Sequence, residues 1–219
     1  VKKWENQTEP SLVDRRQQVL DPMTAYQITS MMEGVVQRGT ATVVREVGRP
    51  VAPMLAGTAA DVEAALGKIA PAAVEWKLDG ARIQVHRSDG DVRVFTRSLD
   101  EVTDRVPEVV AAVLALPVSA IVLDGEAIAL RDDGRPHPFQ VTASRFASRR
   151  DVDGQRGSVP LTALFFDVLH ADGDDLIDRP ATERFAALAA AVPEPMRVPR
   201  TIAETGAEAA AFLEDALAR

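Results

Sequence analysis

Residues Lys77–Arg82 read KLDGAR, a hexapeptide that sets one lysine inside a fixed polar frame. Arginine stays protonated under ordinary conditions, whereas a lysine amine can lose its proton when it is desolvated or crowded by other cations. The chain is poor in lysine and rich in arginine, so Lys77 indicates an amine that acts as a nucleophile. The alternative is a surface turn at Asp79-Gly80 with two solvated cations, since short motifs also arise by chance.

Strand and helix signals surround this hexapeptide. Strands are predicted over 74–77, 82–87 and 92–97, and Ser88-Asp89-Gly90 predicts a hairpin between the last two. Helices are predicted over 59–69, 101–116, 139–150, 181–191 and 207–218. Hairpins mixed with helices indicate an α+β fold rather than a doubly wound parallel sheet.

Two apolar strands complete the pattern. The strand over 120–130 is expected to be interrupted by Asp124-Gly125-Glu126, and a carboxylate among apolar residues is costly unless it has a partner or a ligand. The strand over 161–169 carries Phe166, and alternate residues of a strand face opposite sides. Taken alone, Phe166 is expected to pack in the core.

The composition excludes several classes of protein. The chain has 219 residues, of which 46% are hydrophobic and 26% charged, as in a globular protein with one large domain or one domain and an appendage. The net charge of −8 argues against a uniformly basic nucleic-acid surface but permits a local basic face. The absence of cysteine excludes disulfides and thiolate metal sites. Since no apolar run reaches membrane-spanning length, a cytoplasmic protein without a membrane partner is expected.

Four short stretches around these residues resemble, in order and spacing, the motifs of ATP-dependent DNA ligases in the covalent nucleotidyltransferase superfamily. Motif I resembles Glu75–Arg82, motif Ia Arg97-Ser98, motif III Asp124–Glu126 and motif IIIa Phe166-Asp167. The resemblance covers about 49–219. It implies the α+β ligase and capping-enzyme nucleotidyltransferase domain (ATP-grasp-like), with antiparallel sheets flanked by helices and incomplete at the C-terminus.

The resemblance implies a role for the nucleophile and for two residues that contact the base. Lys77 would attack the α-phosphorus of ATP and carry AMP as a phosphoramidate. Glu75 would bind the adenine amino group, and Phe166 would stack on the ring.

It also implies the residues that hold the rest of the nucleotide. Arg82 and Glu126 would hold the ribose, and Arg97 would neutralise phosphate charge on ATP or on the 5′-phosphate of a nick. ATP and Mg²⁺ or Mn²⁺ are the implied cofactors, and the metal ligands are not assigned. The implied partner is nicked double-stranded DNA in replication, repair or recombination, bound by a monomer.

Two departures from the family pattern lead to further expectations. The chain ends at Arg219, before the family's motifs IV and V and its OB domain, so lysine adenylylation is expected to be slow or absent and nick sealing to fail. The second departure is the segment 1–51, where Asp21–Ile28 and Gly34–Ala41 resemble the transpeptidase domain of class A penicillin-binding proteins without its catalytic motifs. We therefore predict a helix over 23–37, a junction near 48–52, and two parts, 1–51 and 52–219, the second a partial adenylation domain.

Other functions remain open on the sequence alone. One is a catalytically inert fragment or chimera that only binds nucleotide or DNA. Another is an RNA ligase or a capping-type guanylyltransferase, which shares the lysine motif, although Glu75 and Phe166 favour the DNA ligase branch. A transpeptidase is the least favoured.

Overall fold

The fold was obtained as a computed structural model, which describes residues 47–54, 56–147, 154 and 157–218. The predicted helix over 23–37 lies outside these residues. The strands are β1 (Ala72–Glu75), β2 (Ala81–Ser88), β3 (Asp91–Thr96), β4 (Ala120–Ala129), β5 (Leu161–Ala171), β6 (Asp174–Asp175) and β7 (Arg200–Ala203). The α-helices are α1 (Val62–Ile69), α2 (Pro107–Leu114), α3 (Phe139–Ala147), α4 (Ala181–Ala191) and α5 (Gly206–Ala218). Among the described residues, no helix combines the length and apolar character needed to cross a membrane.

The larger sheet has five antiparallel strands in the order β3-β2-β4-β5-β6. The β2–β3 hairpin turns at Asp89-Gly90 as predicted, with Asp89 at a φ of 53°. Side chains alternate between the two faces of a strand, so one face of this sheet carries apolar residues such as Ile83, Leu123 and Phe165. Helices α2 and α4 pack onto that face and bury the main core.

The opposite face of the larger sheet carries polar side chains next to the apolar Val122 and Leu169, and it is divided between two structures. At one end, Arg82 and Glu126 line a cavity, and Asp124 is paired with Arg82. At the other end, Gln84 and His86 are covered by residues 47–51, which we call the covering segment. A single sheet face therefore supports both an open cavity and a covered stretch of backbone.

The covering segment is held by hydrogen bonds and apolar packing. The Gly48 N–H donates to His86 Nδ1 (2.9 Å), and the Val51 N–H donates to Gln84 Oε1 (2.9 Å). Its valines pack against Val122 and Leu169 of the sheet. The described part of the predicted segment 1–51 therefore contacts the same sheet that carries the site.

The smaller sheet pairs β1 with β7, antiparallel, and packs against α1 and α5. Asp61 begins α1 by accepting a hydrogen bond from the Ala64 N–H, as an N-cap residue does. In the register of this sheet Glu75 lies directly opposite Arg200. No strand was predicted at β7, because four residues provide little periodicity.

The α+β prediction is confirmed, and the antiparallel sheets are flanked by helices as expected. Several bounds differ from the prediction, and three of the differences have a structural explanation or bear on the site. The strand over 74–77 ends earlier, at Glu75, so Lys77 lies outside it. The helix over 101–116 is a 3₁₀ turn followed by α2, because Pro107 has no N–H to donate and begins a new helix. Finally, β4 pairs with β2 without interruption through 124–126, because the Asp124 carboxylate has an arginine partner.

Candidate active site

A cavity of about 1060 Å³ opens between the two sheets. It is lined by every site residue that the sequence predicted: Glu75, Lys77, Arg82, Arg97, Glu126 and Phe166. Residues from β1, β2, β4 and β5 meet here although they are up to 91 positions apart in the chain, as the step from Glu75 to Phe166 shows. The fold therefore brings the predicted set together, while the role of each residue stays a prediction.

Lys77 lies in the short connection 76–80, which we call the lysine link, between β1 of the smaller sheet and β2 of the larger one. Its side chain is 17% exposed. The Nζ atom donates to the Leu78 carbonyl oxygen at 2.9 Å and lies 3.6 Å from Glu126 Oε1. The amine is therefore held at the wall of the cavity by one carbonyl and one carboxylate.

Gly80 brings the lysine link close to β4. Its N–H donates to Glu126 Oε2 at 3.0 Å, so the two carboxylate oxygens of Glu126 contact the lysine and the link backbone. A Cβ atom at Gly80 would lie 2.8 Å from the Ala127 carbonyl oxygen and 3.1 Å from Glu126 Oε2. Burial raises the pKa of Glu126, and the charge of Lys77 and the hydrogen bond from Gly80 oppose that rise.

Arg82 and Asp124 form a bidentate ion pair beneath the cavity. Arg82 Nε donates to Asp124 Oδ1 (2.6 Å) and Nη2 donates to Oδ2 (2.5 Å), the parallel geometry that a guanidinium and a carboxylate prefer. Burial raises the pKa of Asp124, and Arg82 opposes this while the nearby Asp167 adds to it. The Arg82 guanidinium also lies 4.7 Å from the centre of the Phe166 ring. The sequence indicated that Asp124 needs a partner, and the structure identifies it.

Phe166 reaches the cavity because β5 bulges at this point. In the β4–β5 ladder Asp124 lies opposite Asp167 and Gly125 lies opposite Phe165, which leaves Phe166 as the extra residue. Bulges of this kind redirect a side chain and are common beside active sites. Gly125 permits the close packing here, since a Cβ atom would lie 2.5 Å from the Leu164 carbonyl oxygen. The expectation that Phe166 taken alone packs in the core is wrong, because its ring lines the cavity.

Glu75 is paired with Arg200, a residue that the sequence reasoning missed. Arg200 Nε donates to Glu75 Oε1 at 2.5 Å, and Nη2 donates to the Phe166 carbonyl oxygen. The guanidinium lies 3.4 Å from the centre of the Phe185 ring. No local signal could have revealed this contact, since the two partners are 125 residues apart and meet only through β1–β7 pairing.

Arg97 is exposed at the rim of the cavity, just after β3. The adjacent Ser98 is held by its Oγ, which donates to Asp100 Oδ2 at 2.5 Å. Within the described ranges no group of three or more His, Cys, Asp or Glu residues could hold a metal ion. The metal ligands therefore stay unassigned.

Fold and site together define an α+β domain whose two antiparallel sheets enclose a lysine-centred cavity with carboxylate, arginine and aromatic walls. Residues 53–219 match the protein-family model described as the ATP dependent DNA ligase domain. The chain therefore belongs to the ATP-dependent DNA ligase domain family.

Curated relatives carry matching names. The chain is 57% identical over 200 residues to a "Probable DNA ligase" of Anaeromyxobacter sp. (strain Fw109-5), covering 90% of this chain and 38% of that protein. It is 52% identical over 204 residues to a "Probable DNA ligase" of Streptomyces coelicolor, covering 90% of this chain and 40% of the relative. The chain thus spans about two fifths of the length of these relatives.

Among solved structures, the ligase domain of M. tuberculosis LigD is 25% identical, with a TM-score of 0.47, over 64% of this chain and 44% of that one.

Residues 52–219 make up 168 of the 219 residues, which is less than the 90% matched by the two curated relatives, so those alignments extend into 1–51. The penicillin-binding resemblance of 1–51 is not confirmed by these relatives. Like the division at 51/52, it stays a prediction.

Proposed function

We propose that this chain is the nucleotide-binding part of a DNA ligase, which binds ATP and accepts AMP on Lys77. The observation that carries the proposal is the position of the Lys77 amine, held at the cavity wall by Glu126 and the Leu78 carbonyl. Family membership supports ATP as the nucleotide and nicked DNA as the substrate of the whole protein. One copy of the chain supplies all the groups named, so a monomer is expected.

The proposed step is a substitution at phosphorus. Lys77 Nζ, once deprotonated, forms a P–N bond to the α-phosphorus of ATP. The bond from that phosphorus to the bridging oxygen breaks, pyrophosphate leaves with the electron pair, and the second proton that the nitrogen loses passes to solvent or to the departing pyrophosphate. Holding the amine in place lowers the entropic part of the activation barrier, because the reacting atoms are already positioned when the nucleotide binds. In the proposed complex Arg97 neutralises phosphate charge.

The other predicted residues hold the nucleoside in this proposal. Phe166 presents a ring to the base, and Glu75 presents a carboxylate to its amino group. Glu126 contacts the ribose. The ion pair with Asp124 and the contact with the Phe166 ring support a second task for Arg82, which is to hold that ring in place.

The proposal is tested by labelling the whole chain with ATP or GTP in the presence of Mg²⁺ or Mn²⁺. We expect a slowly formed AMP adduct by intact mass, mapped by peptide analysis to Lys77 and lost in Lys77→Ala. The matched control is Lys68→Ala, which removes an exposed lysine of α1 that donates to the Thr58 carbonyl oxygen. This variant should label like the unmodified chain.

Each other result has a defined meaning. A GMP adduct would replace the proposal with a capping-type activity. Absence of any adduct, with nucleotide binding retained, would support the inert fragment. An adduct that survives Lys77→Ala would show that Lys77 is not the acceptor.

A further inference from the structure

We infer that Arg200 is a positioning residue that sets the base selectivity of the cavity by holding the Glu75 carboxylate in place. The inference deepens the proposed function and rests on it, since it assumes that Glu75 faces a purine amino group. Arg200 is not among the described residues that line the cavity. It acts through the two residues that form the base pocket in the proposal.

The geometry ties both sides of that pocket to one guanidinium. Arg200 Nε donates to Glu75 Oε1 at 2.5 Å, which fixes the carboxylate at the end of β1. Its Nη2 donates to the Phe166 carbonyl oxygen, at the bulge of β5. Because β1 belongs to the smaller sheet and β5 to the larger one, Arg200 bridges the two sheets at the pocket.

Arg200 is itself held on its flat side. The Phe185 ring of α4 lies against the guanidinium, with 3.4 Å between its centre and Cζ. The side chains of Arg200 and Glu75 are 15% and 20% exposed. A planar cation that stacks on a ring and donates from its edge cannot be replaced by lysine without losing part of this arrangement.

The acceptor oxygens of the Glu75 carboxylate, held in one orientation, are what distinguish the two purines. An ionised carboxylate only accepts hydrogen bonds, whereas a protonated one also donates. Adenine presents an amino group at position 6, which donates to a carboxylate. Guanine in the same orientation presents a carbonyl oxygen there, which faces the carboxylate without a proton between them. Without Arg200, the Glu75 carboxylate loses the hydrogen bond that fixes its orientation and can rotate away, so the pocket accommodates either base.

The test measures dissociation constants of ATP and of GTP for the whole chain by calorimetry. The unmodified chain should prefer ATP. Arg200→Gln should reduce the ATP-over-GTP preference by at least about tenfold, as expected when an oriented hydrogen-bonding group is lost. Arg200→Lys should restore part of it. The matched control, Arg179→Gln, removes the exposed partner of Glu183 and should leave the preference unchanged.

A double-variant cycle separates positioning from general loosening of the fold. If Arg200 acts through Glu75, Arg200→Gln should change the preference little in the Glu75→Gln background, because the effects of coupled residues are not additive. Equal effects in both backgrounds would overturn the inference.

The remaining outcomes also support or overturn the role of Arg200. An unchanged preference in a folded Arg200→Gln, checked by circular dichroism, would overturn the inference. So would an unmodified chain that binds ATP and GTP equally, although nucleotide binding in the proposed function would stand. Binding of neither nucleotide would overturn both. If Arg200→Gln does not fold, Phe185→Leu removes the stacking ring and keeps the ion pair. An intermediate loss of preference there would support the inference, and no loss would overturn it.

Discussion

The polar face of the larger sheet has two ends, which differ in the charge of their side chains and in the groups that those side chains contact. At the covered end, Gln84 and His86 accept hydrogen bonds from the backbone N–H groups of the covering segment, and Gln84 Nε2 also donates to the Val51 carbonyl oxygen. At the cavity end, Arg82 and Asp124 bond to each other, and Glu126 contacts Lys77. Neutral groups capped by backbone hold the fold together, whereas charged groups that neutralise one another leave a surface on which a ligand can bind.

Loss of the arginine at the cavity end should have the largest effect on stability. Arg82→Met leaves the Asp124 carboxylate buried without its partner, which should lower the free energy of unfolding by about 3 kcal/mol in urea denaturation. The double variant Arg82→Met/Asp124→Leu should recover most of this loss, because it removes the unpaired charge. The control Arg179→Met, at an exposed pair, should change stability by less than about 0.5 kcal/mol. An Arg82→Met protein as stable as the unmodified chain would break the comparison.

The covered end should respond to acid. Burial first, and the charge of Arg93 second, lower the pKa of His86 from 6.5 to about 4. Between these two values the unfolded chain binds a proton that the folded one excludes. Stability from this group is therefore present above pH 6.5 and is lost as pH falls to 4, by about 3 kcal/mol at most. Protonation would also remove the acceptor for the Gly48 N–H.

This prediction is measured as the difference in unfolding free energy between the unmodified chain and His86→Gln across that pH range. Glutamine does not titrate, so the difference isolates His86 from every other titratable group. Parallel pH profiles would show that the covering segment does not depend on the neutral imidazole.

The smallest expected effect is that of Glu126, whose contribution to stability falls as pH rises, opposite to that of His86. Because burial raises the pKa of Glu126, the folded protein holds more protons than the unfolded one just above the ordinary value of 4.5, and stability falls as pH rises through that range. Glu126→Gln should therefore raise stability at neutral pH by less than about 1 kcal/mol while weakening ATP binding. Thermal unfolding and calorimetry on the same samples check both parts. A destabilised variant that keeps its ATP affinity would make Glu126 a structural group like those at the covered end.

Local patterns predicted much of this molecule. Helix α4 has the predicted bounds, and the β2–β3 hairpin turns where Asp89-Gly90 indicated, because periodicity and turn residues act over a few positions. The six predicted site residues also line one cavity. They were identified by residue types that match the motifs of a family, and not by periodicity.

What could not be predicted depends on contacts between distant strands. The pairing of Arg200 with Glu75 exists only because β7 lies beside β1 in a particular register. The continuity of β4 through Asp124 depends on a guanidinium from β2. The position of the Phe166 ring depends on a β-bulge that the residue types in β5 do not predict.

The lysine link places a limit on chain length as well as on residue identity. Its ends are anchored in two different sheets, and each residue of extended chain spans about 3.3 Å. One residue inserted or removed would shift Lys77 relative to β4 by more than its 3.6 Å contact with Glu126 tolerates. The turn at Asp89-Gly90, at the far end of β2, connects neighbours within one sheet and has no such constraint. Natural length variation should therefore accumulate at that turn and be excluded from 76–80.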